Sequence, residues 1–353
     1  MVEEQISFFG EENNKEEIKE LKRLTKLVSH YNKKYYEEDI SEITDFEYDK
    51  LSLRLRALEA KYPEFKKNSP TSKIGGKNKE IFNKVFHEVQ MQSLQDVFSF
   101  DAVREFVEKV QKEYGDDTEF VVETKIDGLS VSLEYENGKL VRGSTRGDGN
   151  VGEDVTENLR VVNGIPEELK RKDTIEVRGE VYLPREEFNN INEKLEKEGK
   201  KILSNPRNAA AGTLRQLDST LVKSRNLSIF VFNVQKGMEF TTHSKSLSYL
   251  KEDGIKVLEY TKVCVGVDEV LNAICEIGEK RDSLAYDIDG AVVKVNNLKI
   301  REEMGKTVKV PKWAVAYKYP PEQKETKVKD ILVQVGRTGQ VTPLALLDPV
   351  RLA

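Results

Sequence analysis

Hydrophobic positions recur at helical spacing early in the chain and at alternating, strand-like spacing later. Ile18, Leu21, Leu24, Val28, Tyr31 and Tyr35 form one helical stripe. Thr44 and Glu47 make a capping-box pattern for a second helix, whose stripe is Tyr48, Leu51, Leu55, Leu58 and Tyr62. Two such helices with a short connection predict a helical hairpin between about Lys15 and Pro63, too small to be very stable alone. Lys66-Lys67-Asn68-Ser69-Pro70 and Gly75-Gly76 read as the linker that ends it.

From Phe82 onward, short runs rich in β-branched and aromatic residues alternate with turn signals. Strands are expected over 120–126, 131–135, 140–144, 175–177, 229–234 and 291–295. Asn137-Gly138 between two of these runs is a two-residue hairpin signal. Hairpins imply antiparallel pairing, so the expected class is α+β and not a doubly wound parallel sheet. A further run at 330–335, followed by Gly336-Arg337-Thr338-Gly339, starts another β unit. The chain stops at Ala353 in what reads as mid-element, as a truncated fragment would.

Composition narrows the class. The 353 residues are 34% charged and 38% hydrophobic with a net charge of −5, a balance expected of a soluble globular protein. Bulk charge argues against a polyanion binder, so any nucleic-acid contact must use a local basic face. Two cysteines are too few for a disulfide framework or a four-cysteine zinc site. His30, His87 and His243 lie far apart and show no metal-ligand spacing. No secretory signal or bilayer-length apolar run is present, so a cytoplasmic location without membrane association is expected.

The most informative stretch is Glu123-Thr124-Lys125-Ile126-Asp127-Gly128. It sets three charges on alternate positions of a strand, so they should share one face. One reason to hold an amine between acids is to use it, partly desolvated, as a nucleophile. The bland reading is real: Lys-x-Asp-Gly arises by chance in roughly one chain in ten of this length. Gly147-Asp148-Gly149-Asn150-Val151-Gly152 matches a dinucleotide fingerprint. Its preceding strand alternates Arg142, Ser144 and Arg146 with apolar residues, and the following segment breaks at Asn163-Gly164-Ile165-Pro166. Neither suits a βαβ crossover, so the fingerprint is set aside.

Other charges also interrupt apolar runs: Arg146, then Glu176, Arg178 and Glu180, then Asp287, Asp289 and Lys294, then Lys318 after Trp313. Several lysines flanked by apolar β residues, with acids nearby, suit a site for phosphates and a metal. By strand parity Lys294 faces away from Asp289, so the two share a site only if a bend intervenes.

Taken in order, these motifs resemble those of bacterial NAD-dependent DNA ligases. They are Tyr35-Tyr36, Asp45 to Asp49, Ser69-Pro70-Thr71, Lys125 to Gly128, Thr145 to Gly149 and Val177 to Glu180. Asn205 to Gly212, Leu214 to Asp218, Asp287 to Gly290 and Lys312 to Lys318 complete the series. The resemblance runs from about Lys15 to the C-terminus. It implies three parts: a helical nicotinamide-mononucleotide unit over 1–70, an antiparallel-sheet nucleotidyltransferase (ATP-grasp-like ligase) domain over 71–325, and the start of an OB-fold barrel over 326–353.

The resemblance also implies roles. Lys125 would attack the adenylyl phosphorus of NAD, with Lys294 and Lys318 as phosphate ligands and Asp127 and Asp289 positioning magnesium or the lysine. Ser93, Leu94, Glu123 and Lys294 would meet adenine, with Phe232 near the family's stacking aromatic. Arg146 and Glu180 would meet ribose. Tyr35, Tyr36, Asp45, Tyr48 and Asp49 would take the nicotinamide; Tyr36 stands where some members carry histidine. Arg207, Arg215 and Arg281 would lie near nicked double-stranded DNA. Implied cofactors are NAD and magnesium, with zinc only in a part of the family's chain beyond these 353 residues, and the implied state is a monomer.

Overall fold

A computed structural model describes the backbone of residues 2–38, 43, 45–72, 82–320, 325–335 and 341–350. Side chains are described for 16–34, 43, 47–48, 50–66, 69–71, 82–320, 325–334 and 341–350. The chain divides into two compact units, Met1–Tyr319 and Pro320–Ala353.

The first unit opens with α1 (Val2–Glu38) and α2 (Asp45–Lys61). Their shared core is Leu21, Leu24, Val28, Leu55 and Leu58, with Tyr48, Leu51 and Tyr62 packed against it. All of these belong to the two expected stripes, while Ile18 and Tyr31 of the first stripe are only half-buried. Helix α1 begins well before Lys15, where the helical hairpin was expected to start. Arg54 pairs with Glu20 at 2.7 Å, and Lys61 with Glu17 at 2.5 Å. Both pairs are exposed, so most of the association comes from the leucines. Thr44 and its expected capping box lie outside the described residues.

Next come β1 (Lys84–Phe86), β2 (Gln95–Val97), α3 (Phe100–Tyr114), β3 (Glu119–Ile126), β4 (Leu129–Glu136), β5 (Lys139–Thr145) and β6 (Val151–Glu153). The one-turn α4 (Thr156–Leu159) leads to β7 (Ile175–Tyr182), α5 (Arg185–Lys197), α6 (Pro206–Leu214), α7 (Ser219–Ser224) and β8 (Ser228–Lys236). The unit ends with α8 (His243–Glu252), β9 (Thr261–Val265), α9 (Gly266–Lys280), β10 (Ile288–Val295), α10 (Leu298–Met304) and β11 (Ala314–Lys318).

The strands form two main sheets, ordered β2-β11-β10-β3-β9 and β5-β4-β7-β8. All pairs within them are antiparallel except β11 with β2, an exception to the uniformly antiparallel expectation. The Asn137-Gly138 turn has positive φ at both residues, +50° and +80°, and joins β4 to β5. That twist is the one that favours Asn-Gly in two-residue hairpins. The fingerprint-like glycines lead into β6, which pairs antiparallel with β1, so the dinucleotide reading fails on topology too.

Each sheet has one apolar face. Phe120, Val122, Val293 and Val295 of the first pack with Val103 and Val107 of α3 and Ile274 and Ile277 of α9. Val131, Leu133, Val177 and Val181 of the second pack with Leu159, Phe188 and Leu214. Alternation then forces Val121, Glu123 and Lys125 of the first sheet, and Ser130, Arg178 and Glu180 of the second, onto the opposite faces. The second unit, described by itself, is an antiparallel hairpin of β12 (Val328–Val335) and β13 (Val341–Leu347).

Candidate functional site

The polar faces of the two sheets carry the charges singled out in the sequence. Lys125, near the end of β3, places its Nζ 2.8 and 2.6 Å from the two carboxylate oxygens of Asp289. The Lys125 side chain is 23% exposed, so the amine is sheltered yet reachable. Lys318 Nζ approaches the same carboxylate at 3.9 Å. Burial works to raise the Asp289 carboxyl, and Lys125 and Lys318 more than offset it, holding the group below the ordinary range.

Asp289 reaches this face because β10 is bulged there. Ile288 pairs with Ile126 and Gly290 with Lys125, so Asp289 is an extra residue opposite β3. One inserted residue reverses the parity of the strand. Ile288 thus lies in the apolar core while Gly290, Val292 and Lys294 share the polar face with Asp289. The bend that simple alternation required is this bulge. Gly290 permits it: a Cβ there would sit 2.0 Å from the Tyr317 carbonyl oxygen on β11.

Glu123 and Lys294 lie deeper, 1% and 6% exposed, and pair at 2.6 Å. His243, at the start of α8, approaches the other Glu123 oxygen at 2.6 Å through Nε2. Burial works to raise the Glu123 carboxyl, but Lys294 and His243 outweigh it and hold it at about 2. Burial, helped by Lys294, pushes His243 down to about 3, so its ring is neutral. Burial also lowers Lys294, against the pull of Glu123.

Facing Lys294 is Phe232, whose carbonyl accepts from Lys294 Nζ at 3.1 Å and whose ring lies 5.2 Å from it. Arg178 flanks the same ring at 5.6 Å and donates to the Gln92 carbonyl at 2.9 Å. Phe232 is itself a bulge residue: Arg178 pairs with Asn233 and Gly179 with Val231, leaving Phe232 unpaired. Arg146, just past β5, donates to Ser93 Oγ at 3.5 Å. Burial raises the Glu180 carboxyl, partly opposed by Arg207, Arg178, Lys125 and Arg146.

Asp127 lies one residue beyond β3 and accepts from Arg207 at 2.9 Å. Arg207 is placed by the N-terminus of α6, where Asn205 caps the Asn208 amide and Pro206 opens the helix. Arg215 instead pairs with the buried Glu153 at 3.1 Å, and Arg281 stands at the end of α9 in a 3-10 turn. Asp287 is held by Arg185 at 2.6 Å. Of the expected nicotinamide residues, Tyr48 donates to Asn32 Oδ1 at 2.6 Å. The side chains of Tyr35, Tyr36, Asp45 and Asp49 lie outside the described residues.

Two residues of this site had been assigned no role from the sequence. In the sequence His243 is one of three scattered histidines without ligand spacing, and Arg178 is one charge in an alternating run. A pairing partner 120 residues away leaves no local signal for the first. The alternation of Glu176, Arg178 and Glu180 was the available signal for the second.

A metal would need donors. Among the described residues no three His, Cys, Asp or Glu side chains group to hold one. Asp127 and Asp289 are each held by a cation, so their donor set does not by itself fit a magnesium ion.

Residues 79–322 match the model of the NAD-dependent DNA ligase adenylation domain. The chain belongs to this family. Two flanking matches accompany the adenylation domain: a DNA ligase-like, N-terminal NAD+-binding domain over 14–75 and a NAD-dependent DNA ligase OB-fold domain over 325–353. A DNA ligase of Acetivibrio thermocellus is 54% identical over 95% of this chain and 51% of its own length. One of Clostridioides difficile is 48% identical over 95% of this chain and 50% of its own. The chain thus spans about half the length of the curated relatives it matches. Among solved structures, a mycobacterial DNA ligase D complexed with ATP and MES is similar at 13% identity and a TM-score of 0.35. It covers 60% of this chain and 57% of its own, a likeness too low to carry an argument.

Proposed function

We propose that this chain is the adenylating portion of a NAD-dependent DNA ligase, with Lys125 as its nucleophile. The observation that carries the reading is the arrangement of side chains around Lys125 on the polar sheet faces. It holds one partly exposed amine aligned by a bulge-borne carboxylate, with Lys318 and Arg207 beside it. In the proposed step Lys125 Nζ attacks the adenylyl phosphorus of NAD. A nitrogen–phosphorus bond forms, the bond to the nicotinamide mononucleotide phosphate oxygen breaks, and the amine proton departs.

Asp289 aims the amine before attack; a protonated lysine has no lone pair, so the ammonium gives up a proton to solvent before the nitrogen–phosphorus bond forms. Lys318 and Arg207 supply positive charge where the phosphate oxygens gain negative charge. Lys294 stays neutralised by Glu123 and serves the base end of the nucleotide, with Ser93, Leu94 and Phe232. Arg146 and Glu180 serve the ribose.

Tyr35, Tyr36, Asp45, Tyr48 and Asp49 take the nicotinamide, with rings for stacking and acids to offset its charge. The division into a helical unit over 1–70, an adenylation domain over 71–325 and an OB-fold start over 326–353 follows the same reading. Asp127 and Asp289, each paired with a basic side chain, would leave most ligands of a magnesium ion to phosphate oxygens and water.

In the full-length enzyme the adenylyl group passes to the 5′-phosphate of a DNA nick, which is then sealed. Arg207, Arg215 and Arg281 serve that step. The 353 residues alone seal weakly, because a net charge of −5 supplies little of the phosphate attraction that DNA binding needs. No helix among the described residues is long and apolar enough to cross a membrane. A cytoplasmic monomer acting on NAD fits this reading. The direct test is adenylation by NAD: a covalent AMP adduct on Lys125, absent in Lys125→Ala, supports it, and adduct formation from ATP but not NAD overturns it.

A further inference from the structure

Glu123 and Lys294 offer an acceptor beside a donor, and which is which depends on a third residue. His243 Nε2 lies 2.6 Å from Glu123 Oε1, while Lys294 Nζ lies 2.6 Å from Glu123 Oε2. His243 is 1% exposed, and burial keeps its ring neutral, so it has a single N–H to give. The adjacent carboxylate assigns that proton to Nε2. Lys294 Nζ, 3.4 Å from the same nitrogen, cannot donate to it once it carries a hydrogen.

The histidine is held in place by the strand that carries the lysine. Asn296, two residues past Lys294, accepts the His243 amide on its carbonyl at 2.8 Å and the Ser244 amide on its Oδ1 at 3.0 Å. The Asn296 side chain also donates to Glu119 Oε2 at 2.6 Å, at the start of the strand that carries Glu123. Thr242 caps the helix by accepting from the Lys245 amide. Three elements are thereby locked to one another within four residues of the pair.

We propose that His243 is a positioning residue that fixes the polarity of the Glu123–Lys294 pair and so makes the site select a 6-amino purine over a 6-oxo purine. The inference rests on the reading above that this pair meets the base of NAD. A carboxylate oxygen has two lone pairs, so Glu123 retains acceptor capacity after receiving the His243 proton. Lys294 gives one hydrogen to Glu123 and one to the Phe232 carbonyl, and keeps a third. Acceptor beside donor complements the amino group and ring nitrogen of adenine. A 6-oxo purine presents the reverse order and mismatches twice. Without the His243 donor, Glu123 loses half its support and can carry a proton, and a carboxylic acid both donates and accepts.

The experiment compares adenylation of the chain by NAD and by nicotinamide hypoxanthine dinucleotide, read as adduct formation by intact mass over a range of concentrations. The unmodified chain should prefer NAD by about 10²-fold or more, because a mismatched analogue leaves buried polar groups unpaired. His243→Leu should cut that preference by about tenfold, through the concentration dependence more than the maximal rate. His243→Gln, which keeps a donor, should restore most of it. If NAD forms no adduct on the unmodified chain, the adenylation reading fails. If it does and His243→Leu keeps the full preference, only the role of His243 falls. A second measurement is independent of the variants' folding: 15N-labelled histidine spectra at neutral pH should show a neutral ring protonated on Nε2. An imidazolium or an Nδ1–H tautomer overturns the proposal.

Discussion

Lys125 is held by both carboxylate oxygens of Asp289, a residue that the strand register leaves without a direct partner on β3. The amine is aligned by a bulge, a local departure from regular pairing that re-aims one side chain.

Asp289→Asn keeps the shape of that side chain and removes its charge. Adenylation by NAD should fall by roughly 10²-fold, the cost of a nucleophile that is no longer held on line. Stopped-time mass spectrometry of the adduct checks this, and a rate within about threefold of the parent would mean that the pair does not align the lysine.

Gly290→Ala should act on stability first. Its Cβ would stand 2.0 Å from the Tyr317 carbonyl oxygen, a backbone atom that can move only with its strand. Forced overpacking of this kind costs about 1–3 kcal/mol. Urea denaturation should show a lower midpoint with an unchanged slope. Gly128→Ala, whose Cβ would meet the Val181 carbonyl at 2.2 Å, should behave alike.

Acid should destabilise the fold through two groups of the buried cluster. His243 is lowered from 6.5 to about 3, so the unfolded chain binds its proton first, and stability is lost as pH falls from 6.5 toward 3. Glu123 is lowered from 4.5 to about 2, and its contribution is lost from 4.5 toward 2. One proton corresponds to about 1.4 kcal/mol per pH unit. Urea unfolding at pH 7, 6 and 5 should therefore show a decline that His243→Gln flattens. An equal decline in parent and variant would contradict the neutral histidine.

The helical unit should matter only where nicotinamide is present. On the proposed reading, in which Asp49 offsets the charge of the nicotinamide ring, Asp49→Ala should slow adenylation by NAD about tenfold or more. In the full-length enzyme, sealing of a nick that is already adenylylated should stay near the parent rate. Equal loss in both assays would make Asp49 a structural residue.

Much of this was legible in the sequence because it is local. The stripes of α1 and α2, the Asn137-Gly138 turn and the strand around Lys125 follow from periods and turn chemistry that need only neighbouring residues. The bulges at Asp289 and Phe232 were not legible, since a bulge is a relation between two strands far apart in the chain. Parity alone put Lys294 and Asp289 on opposite faces, and the inserted residue joins them. His243 was missed for the same reason: its meaning lies in Glu123 and Asn296, which pairing brings to it. Arg215 is a similar case. Its motif was legible in the sequence, but its ion pair with the buried Glu153, 62 residues away, was not.

The central claim is that Lys125 carries the adenylyl group. Incubating the 353-residue chain with NAD and magnesium, followed by intact-mass measurement and peptide mapping, tests it most directly. The account predicts one adenylyl group on Lys125, release of nicotinamide mononucleotide, and no adduct in Lys125→Ala. An unchanged mass, or an adduct on another residue that survives Lys125→Ala, would contradict it.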